Sequence, residues 1–324
     1  MRLIRITIVA LALVAAGCGV SGSDAPAPSE SSEVGQAASV EESEGGFAGL
    51  VDIGGGRELY LECRGTGSPT VVLVSGFRGS HDDWTNVINP DDSAGAPKPS
   101  GSAVFPEVGS FTRVCAYDRP GTTYMDGTPT ASTSVPQPTT AQEGAADLHA
   151  LLTAAEEPGP YVLVAHSWGG LNGYLFASDY PDDVSGLVLV DPGSEFLQTE
   201  LTPEQWAKFV QGAKELGEPE ELEAADYQPS VDALRAAPPV GTIPAVVLTS
   251  DEPFDFGAGD GTWPAWLAAQ DRLAKLLGAK HITDTNSGHY IAGEQPQLVI
   301  DAIRQVVDAA KDNAEKVGVV EGAE

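Results

Sequence analysis

Short apolar runs alternate along this chain with longer segments that have the spacing of amphipathic helices. The apolar runs are PTVVLVSG, RVCAYDRPG, YVLVA, VSGLVLVDP and IPAVVLTSD, and helical segments such as TTAQEGAADLHALLTAA and WPAWLAAQDRLAKLLG lie among them. Runs that are apolar throughout, rather than at every second residue, predict strands buried on both faces. Their alternation with helices predicts an α/β fold, with a mostly parallel central sheet and helices on both faces.

One segment departs from this alternation. Residues 193–243 are acidic, contain proline breaks and have helical spacing without a strand pattern. We therefore expect a helical lid inserted over the carboxyl ends of the strands, where sheets of this kind place their sites. The predicted core is then residues 47–192 and 244–312, followed by a C-terminal tail at 313–324.

The first residues predict an export signal rather than part of the fold. Arg2 and Arg5 precede an apolar stretch, Ile6 to Ala16, which is shorter than the roughly 20 residues that span a bilayer. The sequence AAGC, ending at Cys18, resembles the lipobox of bacterial lipoproteins, although Ala15 stands where leucine is more common. This resemblance implies cleavage after residue 17, a lipid anchor on Cys18 and a location outside the cytoplasm. The alternative is an ordinary secretory signal with a chance cysteine.

Residues 18–46 are rich in Ser, Glu, Pro, Gly and Ala and nearly lack large apolar side chains. Such a composition cannot bury enough surface to offset the entropy of the chain, so it predicts a disordered tether. A tether of this length would hold the domain about 30 Å from the membrane.

The charge of the chain excludes one class of partner. Lys and Arg number 17 against 47 Asp and Glu, a formal net charge of −30, which repels phosphate backbones and argues against nucleic-acid binding. The sequence lacks an HExxH motif, a CxxC pair and a clustered set of ligands, so it predicts no metal site. The glycine-rich DIGGGRE lies in a predicted hairpin turn, and we expect no cofactor there.

The sequence YVLVAHSWGG places Ser167 between a predicted strand and a predicted helix. This is the context of a nucleophile elbow, a sharp turn that requires small residues two positions on either side of the serine. Ala165 and Gly169 are small, although glycine is more usual at the first of these positions. The helix that begins at Trp168 would direct its N-terminal N–H groups at a developing oxyanion.

From about Phe47 to Lys311 the chain resembles the α/β-hydrolase family. VLVSGFRGSHDDW corresponds to the oxyanion loop of that family, YDRPG to a turn after its fourth strand, and NSGHYIAGEQPQLVIDAI to the loop that carries its catalytic histidine. The resemblance implies the α/β-hydrolase fold, and the serine argues against dehalogenase or epoxide hydrolase chemistry, because those relatives use Asp at this position.

The catalytic base must follow the serine, since this fold runs Ser, acid, His. The chain has five histidines: His81, His149, His166, His281 and His289. The first two precede Ser167, His166 is its direct neighbour, and His281 lies in a strand. His289 lies in the loop between the last strand and the last helix, and we predict that it is the general base.

The acid has three candidates. It must orient His289 from the carboxyl end of a strand beyond Ser167. Asp191, at the end of LVLVDP, fits a position used by some relatives and is our first choice. Asp251 is the second and Asp255 the third, because they lie two residues before and after the position most common in the family.

Two further groups of residues complete the predicted site and core. By position, the backbone N–H groups of Phe77 and Trp168 are the oxyanion donors. Cys63 and Cys115 form an even pair in an exported protein, so they are a disulfide or two buried thiols. The sheet order of the family implies that they lie on adjacent strands, which favours the disulfide.

These features predict a secreted, lipid-anchored serine hydrolase with a small-molecule ester as its substrate and the membrane contacted through the anchor alone. A small amide or peptide is the alternative substrate. A non-catalytic member of the family that binds a ligand in the same pocket is the alternative from another class.

Overall fold

The structure, a computed structural model, describes residues 45–89, 96–215 and 222–321. The predicted signal, Cys18 and nearly all of the predicted tether lie outside the described residues. The strands are β1 (Phe47–Gly54), β2 (Arg57–Arg64), β3 (Thr70–Val74), β4 (Asn86–Val87), β5 (Lys98–Pro99), β6 (Val114–Tyr117), β7 (Tyr161–His166), β8 (Val184–Val190), β9 (Ala245–Leu248) and β10 (Lys280–Ile282). The helices are α1 (Val104–Val108), α2 (Ala141–Ala154), α3 (Trp168–Asp179), α4 (Leu197–Glu200), α5 (Pro203–Glu215), α6 (Tyr227–Ala236), α7 (Trp263–Leu277), α8 (Ile291–Glu294) and α9 (Pro296–Glu321).

Eight of these strands form one sheet in the order β1-β2-β6-β3-β7-β8-β9-β10. Strands β1 and β2 form an antiparallel hairpin, and β2 is antiparallel to β6. Every other neighbouring pair in the sheet is parallel. The predicted fold, a mostly parallel sheet in an α/β arrangement, is confirmed.

Helices cover both faces of the sheet. In β3, Val71 and Leu73 pack into a core that includes α1 and α9, whereas Val72 and Val74 pack into a core that includes α2, α3 and α7. Each fully buried side chain of this size contributes about 1.5–3 kcal/mol relative to an exposed one. This two-sided burial explains why the strands are continuous apolar runs. Among the described helices, none is both long enough and apolar enough to cross a bilayer.

The segment 193–243 contains the helices α4, α5 and α6 and, as far as the structure describes it, no strand of the main sheet. Helix α6 packs against α2 and α3, and α4 packs against α7. The indole of Trp168 at the start of α3 lies 4.8 Å from the ring of Tyr227 at the start of α6. The segment therefore contacts the residue that follows Ser167, which positions it beside the predicted site.

Cys63 on β2 and Cys115 on β6 are paired in the antiparallel register and joined by a disulfide. The predicted disulfide is therefore present, on the adjacent strands that the family resemblance implied. Both residues are fully buried.

Candidate active site

Ser167 occupies a sharp turn between β7 and α3. Its φ of 52° and ψ of −121° are unfavourable for a residue with a side chain, at a cost of about 1–3 kcal/mol. Backbone hydrogen bonds hold the turn, because the Ser167 N–H donates to the Val190 carbonyl and the Ser167 carbonyl accepts from the N–H groups of Gly170 and Gly193. The strand, serine and helix thus have the arrangement of a nucleophile elbow.

Small residues around Ser167 allow this turn. A Cβ atom on Gly169 would lie 2.4 Å from the carbonyl oxygen of Ser75, so any side chain there would collide with the backbone. Ala165 occupies the position where glycine is more usual. Its methyl group faces Gly173 on α3, where an added Cβ would lie 3.0 Å from that of Ala165. The missing side chain at Gly173 therefore makes room for the extra methyl group of Ala165.

Ser167, His289 and Asp191 form a continuous chain of hydrogen bonds. Nε2 of His289 lies 2.9 Å from Oγ of Ser167, and Nδ1 of His289 lies 2.7 Å from Oδ2 of Asp191. His289 lies in the loop between β10 and α8, and Asp191 directly follows β8. The structure thus brings together three side chains that the sequence separates by 24 and 98 residues.

The carboxylate of Asp191 is fully buried and has four hydrogen-bond partners. Besides His289, it accepts from the backbone N–H and the hydroxyl of Ser250 at 3.0 and 2.9 Å, and from Nε1 of Trp266 at 3.0 Å. These donors fix the orientation of the carboxylate towards His289. Sequence reasoning missed Ser250 and Trp266, because no motif distinguishes them.

The second and third candidate acids lie elsewhere. Asp251 accepts hydrogen bonds from the backbone of Asn286 and Ser287 and from the hydroxyl of Thr285, in the loop that carries His289. Although burial opposes it, these hydrogen bonds hold the pKa of Asp251 below its usual value. Asp255 accepts from the N–H of Gly257. Among the three candidates, the structure joins Asp191 to His289.

His166 contacts the loop that carries His289 through a hydrogen bond to its backbone. Its Nε2 lies 2.9 Å from the backbone carbonyl oxygen of His289, and the two rings are 4.6 Å apart. Burial, assisted by the neighbouring His289, lowers the pKa of His166 to about 3. The ring is therefore neutral near pH 7, and its Nε2–H donates to the His289 carbonyl. The sequence did not indicate His166 as the general base, and nothing in it predicted this contact with the His289 carbonyl.

The two predicted oxyanion donors lie in segments that adjoin the serine. Trp168 follows Ser167 directly, and the loop that contains Phe77 passes beside it, since a Cβ on Gly76 would lie 3.2 Å from Cβ of Ser167. Within the described residues, neither the Phe77 N–H nor the Trp168 N–H donates a hydrogen bond. Both N–H groups therefore have, among those residues, no partner that would compete with a bound oxygen.

Aromatic side chains form a wall beside His289. Phe254 stacks on the imidazole at a centroid distance of 4.3 Å, and Trp266 lies edge-on at 5.7 Å. The cluster continues through Phe256 to Phe209 and Tyr227 of the inserted segment. The side chain of His289 is 17% exposed, so the wall leaves the imidazole partly open to solvent.

The other histidines have partners of their own. His81 lies 3.0 Å from Asp118, His281 lies 2.8 Å from the hydroxyl of Thr249, and His149 stacks on Tyr180. In the described part of the chain, one cluster has the proximity that metal ligands need, namely Cys63, Cys115 and Glu157. Its two cysteines are joined in the disulfide and offer no thiolate.

Comparisons with known proteins agree with this architecture. Residues 69–237 match the family model described as the alpha/beta hydrolase fold. The uncharacterised protein YqjL of Bacillus subtilis (strain 168) is 28% identical over 253 residues, which are 78% of this chain and 88% of that protein.

Solved structures share the fold at lower identity. A thermophilic esterase from Thermogutta terrifontis matches 82% of this chain and 99% of its own, with a TM-score of 0.52 and 21% identity. The haloalkane dehalogenase DatA from Agrobacterium tumefaciens C58 matches 81% of this chain and 97% of its own, with a TM-score of 0.55 and 18% identity. Two proteins named for different reactions share this architecture, so the reaction must be argued from the side chains.

Proposed function

The chain belongs to the α/β-hydrolase fold family, and we propose that within it the protein is a serine hydrolase that cleaves carboxylic esters through an acyl-enzyme on Ser167. The observation that carries this proposal is the hydrogen-bonded chain from Oγ of Ser167 through His289 to the buried carboxylate of Asp191. A hydroxyl within reach of a base that a third group orients is the arrangement of an activated nucleophile.

The geometry supports a two-step reaction. Oγ of Ser167 attacks the ester carbonyl while Nε2 of His289 takes its proton, and Asp191 stabilises the resulting imidazolium. The N–H groups of Phe77 and Trp168 donate to the oxyanion of the tetrahedral intermediate. The intermediate then expels the alcohol, which receives the proton from His289. Water attacks the acyl-enzyme with the same base, which releases the carboxylic acid and restores Ser167.

The residue types favour an ester. The nucleophile is a serine, which forms an acyl-enzyme with an ester but does not supply the aspartate on which dehalogenase relatives depend. The solved structure from Thermogutta terrifontis, with a similar fold, is that of an esterase. The aromatic wall of Phe254, Phe256 and Trp266 offers an apolar surface to an acyl or alkyl group next to His289.

Labelling with a fluorophosphonate tests the nucleophile. The wild-type chain should be labelled covalently and should hydrolyse p-nitrophenyl butyrate, and both properties should disappear in Ser167→Ala. The matched control is Ser110→Ala, which removes an exposed hydroxyl and should behave as the wild type. A folded wild-type chain that takes no label, or a label that persists in Ser167→Ala, would contradict the proposal and favour a non-catalytic binding role.

We further propose that the protein is exported and lipid-anchored through Cys18. The lipobox-like AAGC motif motivates this proposal. The disulfide between Cys63 and Cys115 supports an oxidising compartment. In a bacterial host fed radiolabelled palmitate, the wild-type chain should carry the label and sediment with membranes, whereas Cys18→Ala should do neither. Ser21→Ala serves as the control, and membrane association that survives in Cys18→Ala would contradict the anchor.

A further inference from the structure

A buried ion pair joins the inserted segment to the loop that carries the oxyanion donor Phe77. The side chains of Arg119 and Glu223 are 4% and 1% exposed. Nε of Arg119 donates to Oε1 of Glu223 at 2.6 Å, and its Nη2 lies 3.1 Å from Oε2. Burial alone lowers the pKa of Arg119, but the Glu223 carboxylate outweighs it and raises the pKa above its ordinary value. The guanidinium is therefore charged and held at both of these nitrogens.

Two further hydrogen bonds of Arg119 reach the oxyanion loop. Its Nη1 donates to the carbonyl of Ser75 at 2.8 Å, and its Nη2 donates to the carbonyl of Gly76 at 2.6 Å. The carbonyl of Gly76 and the N–H of Phe77 belong to the same planar trans peptide and point in opposite directions. A hydrogen bond that fixes the Gly76 carbonyl therefore fixes the direction of the Phe77 N–H.

Glu223 holds the other side of Phe77. Its Oε2 accepts the backbone N–H of Arg78 at 2.5 Å, and its own backbone carbonyl accepts from Nε of Arg78 at 3.2 Å. Arg78 has a φ of 60°, in the left-handed region that residues with side chains rarely adopt. This contact supplies the partner that stabilises Arg78 in that conformation.

A third contact fixes Glu223 itself. Its backbone N–H donates to the carbonyl of Gly121 at 2.8 Å, and the N–H of Thr123 donates to the carbonyl of Arg78 at 2.9 Å. The oxyanion loop, the turn at 119–123 and Glu223 are thus bound to one another by main-chain and side-chain hydrogen bonds. Among the described residues, neither side chain forms a hydrogen bond with Ser167 or His289, so we expect their effect on the reaction to pass through the loop.

We propose that Arg119 and Glu223 are positioning residues of the oxyanion hole, with Glu223 of the inserted segment and Arg119 of the core together orienting the Phe77 N–H. This role rests on the proposed function. It predicts that the pair stabilises the tetrahedral intermediate and contributes much less to binding of the ester, because the negatively charged oxygen forms only after the ester has bound. Through Glu223, the segment 193–243 therefore also helps to position the oxyanion loop.

The test compares two glutamates that each bind an arginine through two nitrogens, Glu223 with a side chain 1% exposed and Glu157 with a side chain 7% exposed. Glu223→Gln should lower kcat for p-nitrophenyl butyrate at least tenfold and leave KM within about twofold, since removing an oxyanion donor outright costs about 10²–10³ in kcat. Affinity for phenylboronic acid, which forms a tetrahedral adduct on the serine, should fall by a similar factor. The matched control is Glu157→Gln. Glu157 binds Arg113, which precedes β6 at the amino end of the strand, away from Ser167.

Each outcome decides the question. Wild-type kcat and boronate affinity in Glu223→Gln, or equal losses in Glu157→Gln per folded molecule, would overturn the positioning role. A loss confined to KM would do so too. If Glu223→Gln does not fold, Arg119→Lys replaces it under the same criteria, because lysine keeps the charge but lacks the planar fork that spans both carbonyls and the carboxylate. A folded wild-type chain that takes no fluorophosphonate overturns the proposed function itself, which is a distinguishable result.

Discussion

Nδ1 of His289 lies 2.7 Å from Oδ2 of Asp191, although 98 residues separate them in the chain. The contact forms because β8 lies between β7 and β9 in the sheet. The carboxyl end of β8 is therefore next to the carboxyl end of β7, which Ser167 follows directly. The loop after β10 then reaches back across the ends of these strands. An aspartate directly after β8 therefore already lies within hydrogen-bond distance of His289, without an intervening loop.

This contact predicts different losses for the first two candidate acids. Asp191→Asn keeps the shape of the side chain but removes the charge that stabilises the imidazolium, so kcat for p-nitrophenyl butyrate should fall by about 10³–10⁴. Asp251→Asn should lower kcat by less than about tenfold, because Asp251 binds the backbone of the histidine loop and not the imidazole. Steady-state kinetics of the two variants checks this, and a larger loss in Asp251→Asn would reverse the assignment.

The sequence predicted the elements whose signals are local. The apolar strands, the elbow at Ser167 and the loop histidine each depend on residues close together in the chain. The structure has Ser167 at the turn between β7 and α3 and His289 in the loop after β10. The choice among Asp191, Asp251 and Asp255 was harder because it depends on how far the β8 and β9 ends lie from one loop. The positions of the acid in related proteins gave an order of preference among the three. Their distances to His289 depend on the fold and cannot be obtained from the sequence.

Acid should weaken the wild-type fold through His166. Burial lowers the pKa of His166 to about 3 from its ordinary 6.5, so the unfolded chain binds a proton between these values that the folded chain does not. The stability from a neutral His166 is full above pH 6.5 and is lost as the pH falls towards 3. The free energy of unfolding of the wild type should therefore fall towards that of His166→Gln between pH 7 and pH 4. Urea unfolding at several pH values measures this, with Ser110→Ala as a control whose difference stays constant.

Asp83 should make the free energy of unfolding change with pH in the opposite direction. Burial, and then the neighbouring carboxylate of Asp82, raise the pKa of Asp83 from 3.8 to about 7. The folded chain then binds a proton between these values that the unfolded chain releases, so the stability from Asp83 is lost as the pH rises from 4 to 7. Asp83→Asn, which resembles the protonated form, should gain stability relative to the wild type over that range. A difference in melting temperature that does not grow from pH 5 to pH 8 would contradict this.

The sequence alone did not predict the contacts that single residues of distant segments make near the site. Glu223 lies in an acidic stretch with several other glutamates, and nothing local marks it as the partner of Arg119. Phe254, which stacks on His289, lies in a loop after β9 without strand or helix periodicity. Burial of a charge or a ring in such a segment is decided by tertiary packing, and period and motif carry no information about it.

The disulfide should contribute substantially to stability. It closes a loop with a sequence separation of 52 residues, for which the chain-entropy model gives about 4 kcal/mol. The double variant Cys63→Ala/Cys115→Ala should lose about this amount and should keep its kcat, because both cysteines lie away from Ser167 at the start of β6 and the end of β2. Urea unfolding of oxidised wild type and of the double variant checks the loss. Wild-type stability that does not respond to a reducing agent would contradict it.

The contact between Ala165 and Gly173 should appear as a coupling in a double-mutant cycle. Gly173→Ala alone places a Cβ 3.0 Å from that of Ala165, and overpacking of this kind costs about 1–3 kcal/mol, more than the gain of about 1 kcal/mol in helix propensity. In the background of Ala165→Gly the collision is absent, so the same change should stabilise α3. We expect a coupling of about 1 kcal/mol in the free energies of unfolding of the four proteins. Additive effects would show that Gly173 does not make room for Ala165, and the departure from glycine at the elbow would then need another explanation.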